Sequence, residues 1–340
     1  MATQGPAAHG APGPNPMRIF DVLNAYQQTM ALKGAVELDI FTHIADGAVT
    51  AAEIAERSRT SERGVRILCD FLTIHGLLIK SGVAYSLGAD AAAFLNRRSP
   101  AYMGDAAKFL AHPRHLAHFQ DVAAAVRRGG SLDEGNMGPD DHVWVEFAQS
   151  MGQMVGSISK LVAPIVTKLV HPKKVLDIAA GHGLFGIEVA LLNPDAEVVA
   201  TDWKNVLQVA HANARKAGVA GQYRTIPGSA FDVDFGSGYD LVLLPNFLHH
   251  FDPPTNVKLI QKIRAAMKPG GLVATVEEVP NDDRVSPPIA VFSMMMLCST
   301  PAGDAYTFRE LEAMFRQAGF SETTMQHLEP SFTTLLLSKW

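Results

Sequence analysis

The twelve residues from Val175 to Gly186, Val-Leu-Asp-Ile-Ala-Ala-Gly-His-Gly-Leu-Phe-Gly, carry the densest chemistry in this 340-residue chain. They read as a strand running into a glycine turn that opens a helix. Such a turn lets backbone approach a ligand closely and aims helix N–H groups at it. Gly181, Gly183 and Gly186 satisfy the G-x-G-x-x-G spacing, which alone admits a dinucleotide. Two carboxylates change the reading. Asp177 lies inside the strand, four residues before the first glycine, where it suits a cationic amino-acid ligand and is unwelcome beside a pyrophosphate. Asp202 ends the next strand and can accept both hydroxyls of a ribose, with Trp203 beside it to pack on an adenine ring. A nicotinamide-dependent oxidoreductase remains the rival that the glycine spacing permits.

The elements that must position these residues follow from periodicity. From Lys174 the chain alternates strand and helix, which implies a parallel sheet covered on both faces. Strands are expected at Val175 to Ala179, Glu197 to Asp202, Gln222 to Ile226, Asp240 to Pro245 and Leu272 to Val279, and the last twenty residues suggest two antiparallel strands around Pro330. The first half is mainly helical. From Phe20 to Phe41 apolar residues recur at helical spacing, with Gly34 as a weak point, and Thr50 with Glu53 three residues on forms a capping box. A helix from Ser61 to near Gly76 then leads to a hairpin around Ser81-Gly82, a winged-helix pattern. Residues 91–130 read as helix with breaks at Pro100 and Pro113, and Arg127 to Asp141 as an exposed loop. The domain limits are placed accordingly: a disordered tail over 1–16, a helical winged-helix domain over 17–141, and an α/β domain over 142–340.

Composition narrows the partners. With 47% hydrophobic and 19% charged residues and a net charge of -5, the chain lacks the basic excess that nucleic-acid binding requires. Residues 1–100 hold nine Lys plus Arg against nine Asp plus Glu, so a DNA-binding regulator is disfavoured and the winged helix reads as packing material. Two cysteines, Cys69 and Cys298, cannot build a disulfide framework and fit a reducing compartment, so the cytoplasm is expected. No apolar run approaches a membrane span. The histidines show no ligand spacing with Cys or carboxylates, so no metal is expected.

At the glycine turn the sequence resembles the class I S-adenosylmethionine-dependent methyltransferases, whose first motif is an acidic residue, three residues, then Gly-x-Gly. The likeness continues through GSAFDVDF (Gly228 to Phe235), LPNFLHHFDPP after the fourth strand, AAMKPGGLVATVEEVPNDD into the fifth, and MLCSTPAGDAYTFRELEAMFRQAGF. After Met17 the whole chain is similar to the O-methyltransferase family 2 enzymes. That resemblance implies a Rossmann-like, mostly parallel seven-stranded sheet behind a winged-helix dimerisation domain, a homodimer, S-adenosylmethionine as cofactor, and a small aromatic or polyketide-like acceptor. C- or N-transfer on the same fold is the further alternative.

Methyl transfer from a sulfonium is an in-line displacement in which positioning, water exclusion and removal of one proton do most of what is needed. The resemblance assigns His249 as the base and Glu277 as the acid that orients it, where the plain alternative is a loop-capping histidine and a solvated strand-end carboxylate. It places the cofactor among Asp177, Gly181, Gly183, Asp202, Trp203, Ser229, Ala230, Phe231 and Pro245, with Phe147 and Met151 covering it. His250, Met296, Thr300 and Asp304 are assigned to the acceptor. Three departures stand out. Ser229 replaces the usual Asp against the adenine, Pro245-Asn246 replaces a common lysine and aromatic, and Ala305 stands where a second acid is usual, with Asp304 one place earlier as a candidate substitute.

Overall fold

The computed structural model describes residues 14–133 and 142–340. These fall into two compact units, one ending at Ala107 and the other running from Lys108 to Trp340.

The first unit begins with a helix over Pro16–Glu37. Asn15 caps it by accepting the Met17 N–H at 3.0 Å, and Pro16 sits at the first helical position, where its missing N–H costs nothing. Residues 1–13 of the expected tail lie outside the described residues. The helix passes through Gly34 and breaks at Asp39, whose φ of +53° is left-handed, before a short helix over Ile40–Ala45. A helix over Ala51–Ser58 carries the full Thr50–Glu53 capping box, and one over Glu62–Ile74 is capped by Ser61. Strands β1 (Leu78–Ser81) and β2 (Ala84–Leu87) pair antiparallel as the wing. Ile40, Phe41, Ile54, Leu72, Leu78 and Tyr85 form the core, each contributing roughly 1.5–3 kcal/mol by burial.

The second unit is built on seven strands: β3 (Lys174–Ile178), β4 (Glu197–Asp202), β5 (Tyr223–Pro227), β6 (Tyr239–Pro245), β7 (Met267–Glu277), β8 (Glu322–His327) and β9 (Thr334–Lys339). They lie in the order β5-β4-β3-β6-β7-β9-β8, parallel except for β9, which runs against both β7 and β8. The reversal of connection between β3 and β6 creates the crevice where α/β sheets bind ligands, beyond the carboxyl ends of the strands. Val175, Leu176, Ile178, Leu241, Val242 and Leu244 are fully buried, as a sheet covered on both faces demands.

The sequence boundary after Asp141 lies in 134–141, outside the described residues, and the compact division at Ala107 comes earlier. The helices over Pro113–His118 and Val122–Arg128 group with the second unit. Pro113 starts the first of these, behind a His112 cap. The start of the expected exposed loop is also anchored: Gly130 and Ser131 are buried, and the Ser131 N–H donates to the Thr300 carbonyl at 2.8 Å. A Cβ on Gly130 would stand 2.1 Å from the Pro301 carbonyl oxygen, so glycine is what permits this approach. Among the described residues no helix is long and apolar enough to cross a membrane.

Candidate active site

The glycine turn joins β3 to a helix over Leu184–Leu192. Gly181 and Gly183 have φ of +57° and +74°, and a Cβ on Gly183 would lie 2.6 Å from Tyr223 Oη and 2.9 Å from Ala210 Cβ. Glycine is therefore required twice over at that position. Ala179 holds φ +51° without that freedom, a strain of about 1–2 kcal/mol kept at the turn.

Both acids are tied to the turn's backbone. Asp177 is fully buried beneath it, with Oδ2 accepting the Gly186 N–H at 3.1 Å and Oδ1 without a protein partner among the described residues. Burial pushes its carboxyl up to about 7, against the pull of the Gly186 bond. Asp202 accepts the Gly181 N–H at 2.8 Å and the Trp203 N–H at 2.6 Å, and burial lifts it to about 6. Each carboxylate oxygen can take a second hydrogen bond, so Asp202 retains capacity for ribose hydroxyls. The orphaned Asp177 oxygen and the remaining acceptor capacity of Asp202 fit a nucleoside bearing an amino-acid ammonium.

Around this turn, Gly228 N–H donates to the Asp202 carbonyl at 2.9 Å, fastening the loop after β5 to the end of β4. Ser229 Oγ accepts the Phe231 N–H at 3.2 Å, so its hydroxyl oxygen shapes its own turn. Lys262 Nζ donates to the carbonyls of Ala230 and Phe231 at 2.9 and 2.8 Å. Phe147, on a helix over His142–Ser150, lies 3.7 Å from where a Gly181 Cβ would be and stacks on His182, with ring centroids 6.2 Å apart. Met151 is buried at the start of the next helix, Gly152–Val170.

Across the crevice, β6 ends at the buried Pro245, and Asn246 turns the chain with φ +52°. His249 Nδ1 lies 2.6 Å from Glu277 Oε2, both side chains buried. Glu277 Oε1 accepts the N–H groups of Phe247 and Leu248 at 3.1 and 2.9 Å, which locks the carboxylate in place. Asn256 holds the loop from below through the carbonyls of Leu248 and Phe251. Burial works against the imidazolium, yet the attraction and hydrogen bond of Glu277, with Glu278 adding, hold the His249 pKa above the ordinary histidine value. His250 is pushed well below it by burial and by repulsion from His249, so it stays neutral. A histidine made more basic by a buried carboxylate partner suits removal of a hydroxyl proton.

The acceptor residues divide. Phe292 packs edge-on against His249, centroids 4.9 Å apart, and Met296 is buried one helical turn further along Phe292–Ser299. Thr300 Oγ1 is spent on backbone, donating to the Met296 carbonyl and accepting the Gly303 N–H, both at 2.8 Å. Asp304, the candidate substitute acid, pairs its carboxylate with Arg284 at 2.9 Å on a half-exposed surface, and the same arginine bridges it to Glu310. A grouping of metal-ligating residue types stands at the His249–Glu277 pair. A ring nitrogen of His249 and one oxygen each of Glu277 and Glu278 lie within 4.8 Å of one another. The hydrogen bonds already held by Glu277 and by His249 Nδ1 suit proton chemistry better than a cation.

Sequence reasoning missed Trp144, whose ring meets His250 edge-on at 5.4 Å and Phe147 at 6.0 Å, joining the two halves of the crevice. It also missed Tyr223, His182 and Lys262. The signal for Trp144 was present: it sits three residues before Phe147, the same helix face.

Comparison with known proteins agrees with this geometry. Residues 135–321, more than half of the chain, match the O-methyltransferase domain family, and residues 20–97 match the O-methyltransferase dimerisation domain. The chain belongs to the O-methyltransferase family. It is 29% identical over 313 residues, 90% of each chain, to 3-hydroxy-5-methyl-1-naphthoate 3-O-methyltransferase of Streptomyces sahachiroi. A crystal structure of a candidate O-methyltransferase from Nostoc punctiforme PCC 73102 superposes with TM-score 0.94 at 47% identity, covering 96% of this chain and 100% of that one. Human N-acetylserotonin methyltransferase, solved in complex with SAM, shares the fold with TM-score 0.82 at 21% identity, covering 97% and 99%. The oxidoreductase reading finds no support among these matches.

Proposed function

We propose that the protein moves the methyl group of S-adenosylmethionine to a hydroxyl of a small aromatic or polyketide-like acceptor, with His249 as general base. The observation that carries this reading is the buried Glu277–His249 pair at 2.6 Å, set at the carboxyl ends of β6 and β7. The naphthoate specificity of the Streptomyces sahachiroi relative favours an aromatic acceptor.

Asp202 would hold the ribose, Asp177 the ammonium through its unpartnered oxygen, and Gly181 and Gly183 the close backbone approach. Trp203, Ser229, Ala230, Phe231 and Pro245 would surround the adenine end, with Phe147 and Met151 as cover. When bound, S-adenosylmethionine supplies an electrophilic methyl on a sulfonium. His249 takes the acceptor's hydroxyl proton at Nε2, since Nδ1 is held by Glu277. Glu277 steadies the imidazolium that results, and His250, Phe292 and Met296 exclude water around the acceptor.

The first unit is read as the dimer-forming part. Its matched dimerisation domain and the exposed Met17, Ile19, Phe20, Val22, Leu23 and Tyr26 of the Pro16–Glu37 helix support a homodimer. Cys69 and Cys298, both buried free thiols, suit the cytoplasm.

Isothermal titration with S-adenosylhomocysteine tests the cofactor assignment. Wild type should bind at micromolar levels, and Asp202→Ala should weaken binding about tenfold or more. No binding by wild type would overturn the proposal.

A further inference from the structure

Thr300 is buried, and its hydroxyl is engaged in both directions: Oγ1 donates to the Met296 carbonyl and accepts the Gly303 N–H, each at 2.8 Å. A side chain expected to touch the acceptor is thus turned onto its own backbone. It pins the turn from Thr300 to Gly303, just past the end of the helix Phe292–Ser299 that carries Met296.

That turn lies against the backbone of the base. A Cβ added to Gly303 would stand 2.1 Å from the His249 carbonyl oxygen and 2.9 Å from the His250 carbonyl carbon. Both are backbone atoms, so no side-chain rotation relieves the clash, and either the turn or the His249 backbone would have to move. The φ of Gly303 is not left-handed, so close approach is what glycine supplies here. The turn is itself fastened elsewhere: the Ser131 N–H donates to the Thr300 carbonyl at 2.8 Å, and Gly130 lies hard against the Pro301 carbonyl. The remaining braces of the base act on its neighbours or its ring. Asn256 and the Tyr306 hydroxyl donate to the carbonyls of Leu248 and Phe251, and Glu277 holds the imidazole at Nδ1.

We propose that Thr300 and Gly303 are positioning residues for the base, acting through the His249 backbone, and that the Thr300 hydroxyl does not recognise the acceptor. An imidazole tied to a buried carboxylate at Nδ1 has little freedom to re-aim its Nε2 by rotation. Its reach is therefore set by where the backbone sits, and a displacement of about 1 Å is enough to cost about a hundredfold in rate. The inference rests on the reading of His249 as base toward a hydroxyl.

The test is methyl-transfer kinetics of Thr300→Val, Thr300→Ser and Gly303→Ala, each alone and combined with His249→Ala, using the fastest acceptor from a panel of phenols and naphthols. Thr300→Val keeps the shape and loses the hydroxyl. Its kcat should fall about tenfold, with the acceptor KM and the affinity for S-adenosylhomocysteine within about twofold of wild type. Thr300→Ser should stay close to wild type, and Gly303→Ala should lose about a hundredfold in kcat. On the His249→Ala background, neither Thr300→Val nor Gly303→Ala should lower the residual rate by more than about twofold, because the group they position is gone. Calorimetric binding of S-adenosylhomocysteine verifies that each variant is folded, and Thr300→Val decides the matter if Gly303→Ala does not fold. A raised acceptor KM at unchanged kcat in Thr300→Val would put the hydroxyl on the acceptor and overturn the proposal. So would an unchanged kcat in Thr300→Val, or equal losses with and without His249, which would mark a general packing effect. A wild-type rate in His249→Ala, or no turnover of the panel by wild type, would overturn the reading of the base and the inference with it.

Discussion

The two sides of the crevice use acids in opposite ways. Under the glycine turn, Asp177 and Asp202 are spent on backbone N–H groups of Gly186, Gly181 and Trp203, and burial raises both carboxyls toward neutrality. At the ends of β6 and β7, Glu277 is spent on a histidine, and its attraction and hydrogen bond raise that histidine's proton affinity against the pull of burial. The first arrangement shapes a backbone surface for a ligand of fixed form. The second sets the proton affinity of a base, through a carboxylate that also holds two backbone N–H groups.

That difference decided what could be read from sequence. The glycine turn is local: its acid, its glycines and its helix start lie within ten residues, and spacing alone exposes them. The strand positions were likewise legible, with Glu197–Asp202 matching at both ends and the others within a few residues, because burial on both faces leaves long apolar runs. The His249–Glu277 pair joins residues 28 apart in sequence, so only the family resemblance brought them together. Asp304 went to Arg284, twenty residues away, a competition that no local pattern announces. Between Phe20 and Phe41 the apolar spacing allowed one long helix or two short ones, and the helix runs through Gly34 and turns only at Asp39. A Cβ on Gly34 would meet nothing within 4 Å, so that glycine answers no crowding in the helix.

The comparison can be broken most severely on the backbone side. Gly183→Val forces a branched side chain into φ +74° and against Tyr223 and Ala210. It should cost about 3 kcal/mol or more of unfolding free energy and abolish S-adenosylhomocysteine binding. Denaturant titration checks the first, calorimetry the second. A variant of wild-type stability would mean that the turn does not need its shape.

On the proton side, a smaller change sharpens the contrast. His249 must be neutral to accept a proton, and its raised pKa means that the rate climbs as pH rises through a value above the ordinary histidine range. Glu277→Gln removes the attraction that raises it and leaves the burial that lowers it. The acid limb of the rate profile should therefore move to lower pH, while the plateau falls by about a hundredfold as the imidazolium loses support. A limb that stays in place would show that Glu277 does not set the base's proton affinity.

The most direct test of the central claim is the rate of methyl transfer from S-adenosylmethionine to a phenolic acceptor in His249→Ala, measured beside its affinity for S-adenosylhomocysteine. The account predicts a fall in kcat of about a hundredfold or more with that affinity within about twofold of wild type. Transfer that survives at the wild-type rate would contradict the assignment of His249 as the base.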